Sequence, residues 1–130
     1  MPIYEKHFTL EEAEALLPQL RRLHQEILVE IERLEANEGD LVKSLEVIST
    51  NGGGERLQTF FRSSGIVQQR LGEILETGVQ IKDVRRGLFD FPAMRGREEI
   101  LLCWLVEEPG IACWHDLEQG FAGRRPIGEL

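Results

Sequence analysis

The side chains best suited to chemistry gather in the last third of the chain: Cys103, Cys113, His115 and Asp116, with Glu107 and Asp90 close enough in sequence to act with them. Residues 113 and 115 stand two apart, so on a strand their side chains share a face. Whether Cys103 joins them depends on the turn at Glu108-Pro109-Gly110. A three-residue loop over 108–110 sets Cys103 opposite His115 and Trp104 opposite Trp114, whereas a two-residue Pro-Gly loop turns Cys103 to the other face. Both registers stay open, because Pro109 is poor at the second central position of a type I turn and a type II turn fits the strand twist badly.

In the first register Cys103, Cys113 and His115 offer soft or borderline ligands to zinc. Cys103 and His115 could also form a nucleophilic pair, since imidazole beside a thiol favours the thiolate. Structural zinc takes four ligands, however, and the sequence has no CxxC or HxxxH pair and no signature of an oxyanion hole. The simpler expectation is two cysteines acting as small buried hydrophobes, with no metal and no cofactor.

Adjacent strand residues point to opposite faces, so His115 is expected to bond a carboxylate other than Asp116, namely Asp90, Glu107 or Asp83. Lys82-Asp83-Val84-Arg85-Arg86-Gly87 and Arg95-Gly96-Arg97 read as turns. If the tail folds back, their arginines and Arg124 and Arg125 could gather into an anion site. The competing expectation is that each arginine pairs with a nearby acid and serves solubility. The candidate polar site is therefore His115, Asp90, Asp83, Arg97, Glu107 and Arg124. Trp104 and Trp114 read as core or cross-strand partners, and Glu30 and Glu32 as a solvated helix face.

The elements that must position these residues follow from periodicity. Thr9 and Glu12 have the spacing of a capping box. Beyond them Leu20, Ile27, Leu34, Leu41 and Ile48 recur every seven residues, with Leu16, Leu23, Ile31 and Leu45 at the neighbouring offsets. Such a stripe predicts a helix that packs on another helix. Unbroken from residue 10 to 50 it would run about 60 Å, so a kink or break is expected at Pro18 or at Glu38-Gly39-Asp40. Ser49 to Gly54 reads as a loop. Leu57 to Thr77 restores helical spacing, and Gly78 stands where a C-cap glycine belongs. Val79–Lys82, Leu88–Phe91 stopping at Pro92, Ile100–Val106 and Ile111–His115 then read as strands. The tail from Gly120 reads as irregular, pinned by Phe121 and Ile127. The expectation is an α+β fold in one domain, 1–130: an antiparallel long-helix hairpin (1–77) packed on a small antiparallel β-sheet (78–130).

The succession Phe8-Thr9-Leu10-Glu11-Glu12-Ala13, Leu16-Leu17-Pro18, Gly78-Val79-Gln80-Ile81-Lys82-Asp83, Gly87-Leu88, Asp90-Phe91-Pro92-Ala93, Leu102-Cys103-Trp104, Trp114-His115 and Gly120-Phe121-Ala122-Gly123-Arg124 resembles a prokaryotic family known as a numbered domain of unknown function, two-two-zero-three. The resemblance runs over nearly the whole chain. It implies no activity, substrate or cofactor.

Composition narrows the function classes. The chain has 130 residues, 15 basic and 23 acidic, a formal charge of −8. That balance argues against bulk nucleic-acid binding, which needs a basic face. The charge is uneven: residues 1–76 carry −6 and residues 77–130 only −2, and six of the seven basic residues in the second part are arginine. The longest apolar run, Ile100 to Val106, is too short to cross a membrane. Glu5, Lys6 and His7 interrupt any signal-peptide core, so a cytoplasmic protein with reduced cysteines is expected. Two readings follow. The first is a non-catalytic binding or assembly module that forms a homo-oligomer through its helices and takes a small anion or a protein partner on the polar site. The second is a small metal-dependent or Cys/His enzyme using His115 and Cys103.

Overall fold

A computed structural model describes residues 2–51 and 55–130, with side chains described outside 38–54 and 129. Two helices, α1 (Leu10–Asn51) and α2 (Glu55–Glu76), precede five strands: β1 (Gln80–Asp83), β2 (Leu88–Arg95), β3 (Glu98–Leu105), β4 (Cys113–Asp116) and β5 (Arg125–Pro126). The strands form one antiparallel sheet in the order β1-β2-β3-β4-β5. The fold is α+β. No helix among the described residues is long and apolar enough to cross a membrane.

The chain divides into two compact units. Unit 1 joins Met1–His24 to Glu73–Leu130 and holds the sheet; unit 2 is Gln25–Gly72. In unit 2 the two helices run antiparallel, tied by Arg70 Nε donating to Glu26 Oε2 at 2.7 Å. Glu30 is buried there beside Arg33, whereas Glu32 is exposed, so only Glu32 fits the expected solvated face.

In unit 1 the capping box forms: Thr9 Oγ1 accepts from the Glu12 amide at 3.0 Å and Glu12 Oε1 from the Thr9 amide at 2.9 Å. The first turns of α1 lie on one face of the sheet. Phe8 meets Phe91 edge-on, His24 meets Phe89, and the Arg21 guanidinium lies 5.2 Å from the Trp104 ring centre. With Leu102 and Trp114, the residues Phe8, Phe89, Phe91 and Trp104 form a buried apolar face in which each large side chain contributes about 1.5–3 kcal/mol by burial.

Four expectations about the elements are corrected. Of the kink or break expected at Pro18 or at residues 38–40, the break is overturned: α1 continues through both points to Asn51. Pro18 is exposed between the buried Leu17 and Leu20, whose packing holds the helix on either side of the missing amide. Residues 49–51 accordingly extend α1 rather than open a loop, and 52–54 lie outside the described residues. Strand β2 runs through Pro92 to Arg95. The Pro92 carbonyl accepts from the Phe8 amide at 2.7 Å, so its nitrogen also faces the edge beyond the start of β1, where the ladder asks for no donor. Finally, the tail supplies β5: Arg125 pairs with Trp114 and Pro126 with Cys113, and the Ile127 amide bonds the Ala112 carbonyl at 2.8 Å.

Gly87, in the β1–β2 turn, has φ +70°, and a Cβ there would lie 2.6 Å from Val106 Cγ1 and 2.9 Å from His24 Cε1. Only glycine fits both the left-handed backbone and the close approach of α1 and the β3–β4 loop.

Candidate functional site

The face of the sheet turned away from α1 carries the chemistry. Pairing sets Asp90 on β2 opposite Cys103 on β3, Cys103 opposite Cys113 on β4, and His115 opposite Leu101. Asp90, Cys103, Cys113 and His115 therefore share one face. Cys103 shares the face of His115, as the three-residue loop expected, but the pairing is shifted: Cys103 stands opposite Cys113, Trp114 pairs with Leu102, and Trp104 pairs with Phe89, on which it stacks at 5.8 Å.

Glu108 explains the register. Its Oε1 accepts from the Leu105 amide at 2.7 Å, closing the end of β3, and its carbonyl accepts from Trp104 Nε1 at 3.0 Å and from Arg21 Nη2 at 2.7 Å. The connection is thereby a wide loop between Leu105 and Cys113 instead of a tight Pro-Gly hairpin.

At the centre of the outer face His115 Nε2 lies 3.1 Å from Asp90 Oδ2, and Nδ1 lies 2.7 Å from the Asp116 carbonyl oxygen. His115 and Asp90 are each only 2% exposed, and Asp90 Oδ1 has no hydrogen-bond partner. A carbonyl only accepts, so Nδ1 carries a proton, and Nε2 donates to Asp90 only when the ring is doubly protonated. Burial opposes that charge, but the Asp90 carboxylate and the Asp116 carbonyl outweigh it and hold the His115 pKa above its ordinary value. Cys103 completes the cluster: one ligand atom from each of Asp90, Cys103 and His115 lies within 4.8 Å of the others. Burial first, then the Asp90 charge, push the Cys103 thiol up to about 12. At neutral pH it is a thiol and not an activated nucleophile.

A cavity of about 210 Å³ opens over this cluster, lined by Asp90, Cys103 and His115 with Lys82, Leu88, Leu101, Leu117, Glu118, Gly120 and Phe121. The turn at 120–123 brings Phe121 over the outer face as part of its wall.

Of the six candidate site residues, the structure brings His115 and Asp90 together. Arg124 lies near their edge, with Nη2 at 2.8 and 3.0 Å from the two Glu108 carboxylate oxygens and its guanidinium 4.8 Å from the Phe121 ring centre. Arg97 lies at the opposite end of β3, beside a separate cleft containing Glu99 and Asp116. Asp83 accepts from the Arg86 amide at 3.1 Å as a turn cap, and Glu107 is exposed on the β3–β4 loop. Four of the C-terminal arginines lie on aromatic rings: Arg86 joins Arg124 at Phe121, while Arg95 and Arg125 flank Trp114 at 5.0 and 5.1 Å. Periodicity carries no sign of Glu108 and Arg21, whose hydrogen bonds hold the β3–β4 connection. The position of Glu108 immediately before Pro109-Gly110 is the one signal in the sequence that could have marked it as a turn anchor.

A pair of helices followed by an antiparallel sheet, with a buried polar cluster under a small cavity, defines an α+β protein with a ligand-sized recess on the sheet. The family model described as an uncharacterized conserved protein, DUF2203, matches residues 6–127, and the chain belongs to that family. No curated protein matches the chain, and no solved structure matches it.

Proposed function

We propose that this chain is a non-catalytic binding module whose site is the cavity over Asp90, Cys103 and His115. The observation that carries the reading is the unpartnered Oδ1 of a carboxylate only 2% exposed, at a cavity wall. An unmatched buried acceptor costs roughly 1–3 kcal/mol, more when charged, and a ligand with a donor or a positive charge removes that cost. The neutral, buried thiol argues against the alternative Cys/His enzyme, because Cys103 is not held as a thiolate nucleophile.

A small anion is the second reading, supported by Arg86 and Arg124 at Phe121 on the cavity wall. Assembly through the helices rests on the seven-residue stripe, of which Leu41, Leu45 and Ile48 lie among the side chains not described. A reducing compartment such as a prokaryotic cytoplasm suits the two free cysteines.

The test is an amide NMR titration of metal-free protein with a library of small polar metabolites, inorganic phosphate and divalent metal salts. The reading expects a probe whose shifts cluster at Asp90, Cys103, His115 and Phe121. A library in which no probe moves that group of signals overturns it.

A further inference from the structure

We infer that the ligand of this cavity is a divalent transition-metal ion, zinc in the first instance, held by a carboxylate oxygen of Asp90, Sγ of Cys103 and Nε2 of His115. The inference rests on the binding-module reading and names the chemistry of its ligand. Three neighbouring strands present the three ligand atoms, all within 4.8 Å of one another and all on buried residues. Tetrahedral zinc with bonds of about 2.0–2.3 Å places its ligand atoms inside that limit, and His115 Nε2 and Asp90 Oδ2 are already 3.1 Å apart.

The second observation is independent of that clustering. Asp90 Oδ1 is buried without a partner, so the carboxylate has an unused acceptor at the cavity. The imidazole is already oriented: Nδ1–H is committed to the Asp116 carbonyl, which aims Nε2 at Asp90. Fixing the non-ligating nitrogen on a backbone carbonyl is how metal-binding histidines are commonly held. With Nδ1 protonated, a neutral ring turns the lone pair of Nε2 toward a carboxylate oxygen. Something positive must lie between them, either a second proton or a metal ion.

Ligand type selects the metal. A nitrogen, a sulfur and an oxygen donor suit zinc or a neighbouring transition metal and are wrong for magnesium or calcium, which take oxygen ligands. Charge agrees, because an ionised carboxylate, a thiolate and a neutral imidazole balance a divalent cation, leaving a buried site with no net charge. Binding exchanges the Cys103 thiol proton and the proton on Nε2 for the metal, and both protons leave to solvent. Three protein ligands leave a fourth position, and the cavity of about 210 Å³ gives it room for water or a small anion. Asp90 takes the place that the sequence offered to Cys113, which stays outside the cluster.

Cobalt and zinc titrations of chelator-treated full-length protein test this. The expected result is one metal per chain, with a thiolate-to-cobalt charge-transfer band that zinc displaces. Cys113→Ser should keep the band, while Cys103→Ala should abolish it and His115→Gln should weaken binding by ~100-fold or more, beyond the usual loss of a second-shell partner. Circular dichroism establishes that each variant is folded, and cadmium NMR of the unmutated protein reads a single sulfur ligand should Cys103→Ala not fold. Absence of stoichiometric metal, or a band that survives in folded Cys103→Ala, overturns the inference. If metals fail while a small molecule still moves the Asp90, Cys103 and His115 signals, the metal assignment falls and the binding-module reading stands; if neither binds, both fall.

Discussion

Asp90 lies between the buried Phe89 and Phe91, and His115 follows the buried Trp114 and pairs with Leu101, so charge is costly at both positions. Removing two charges from water costs several kcal/mol per ion, and replacing such a pair by apolar residues of like volume is often neutral or stabilising. Asp90→Ala in the metal-free protein should therefore lower unfolding free energy by ~3–5 kcal/mol, because it strands His115, whereas Asp90→Val with His115→Leu should recover most of that loss. Urea denaturation of both variants measures the difference; equal losses would mean that the pair stabilises the fold on its own account. Glu99 is a different kind of carboxylate. Partial burial raises its pKa, but the Ile3 and Tyr4 amides and His7 together carry it below the ordinary value. A depressed folded-state pKa contributes stability above the unfolded value of about 4.3 and loses it as pH falls through the folded value. Glu99→Gln should accordingly flatten the acid limb of the pH–stability curve and speed hydrogen exchange at Ile3 and Tyr4. An unchanged acid limb would assign that loss to other groups.

The elements were legible where a local rule decides them. Thr9 and Glu12 specify a helix start through their own side chains, and Gly78, with φ +97°, ends α2 as its place after Thr77 suggests. Thr9→Ala should cost ~1 kcal/mol in thermal or urea unfolding, within the range for lost N-caps. What the sequence concealed depends on residues distant in the chain. Strand β2 passes Pro92 because Phe8 takes its carbonyl, and β5 forms because Trp114 and Ala112 offer an edge to a glycine-rich tail. The β3–β4 register is set by Glu108 folding onto Leu105 and by Arg21 reaching from α1, neither of which periodicity contains. The outer-face cluster was half legible for the same reason. Alternation placed Cys113 beside His115, but the identity of the carboxylate required the β2–β3 pairing. Gly87→Ala tests how tightly these elements are bound together: the backbone penalty and the contacts with Val106 and His24 should together cost ~2–4 kcal/mol. A loss below ~0.5 kcal/mol, typical of an unconstrained surface site, would show that the turn adapts.

At the scale of the molecule, the formal charge of −8 divides along the chain, with the acid concentrated in the helices and the C-terminal part nearly balanced. Four of the six arginines of that balanced part, Arg86, Arg95, Arg124 and Arg125, lie on aromatic rings, and Arg124 also pairs with Glu108. On the proposed reading the outer face of the sheet binds a metal ion held by three strands. Anomalous scattering at the zinc edge, from crystals of protein loaded with one equivalent of zinc, tests it most directly. The expected result is one strong peak within about 2.0–2.3 Å of an Asp90 oxygen, Cys103 Sγ and His115 Nε2. A map with no peak there, or with zinc only on surface groups such as His7 and Glu99, would contradict it.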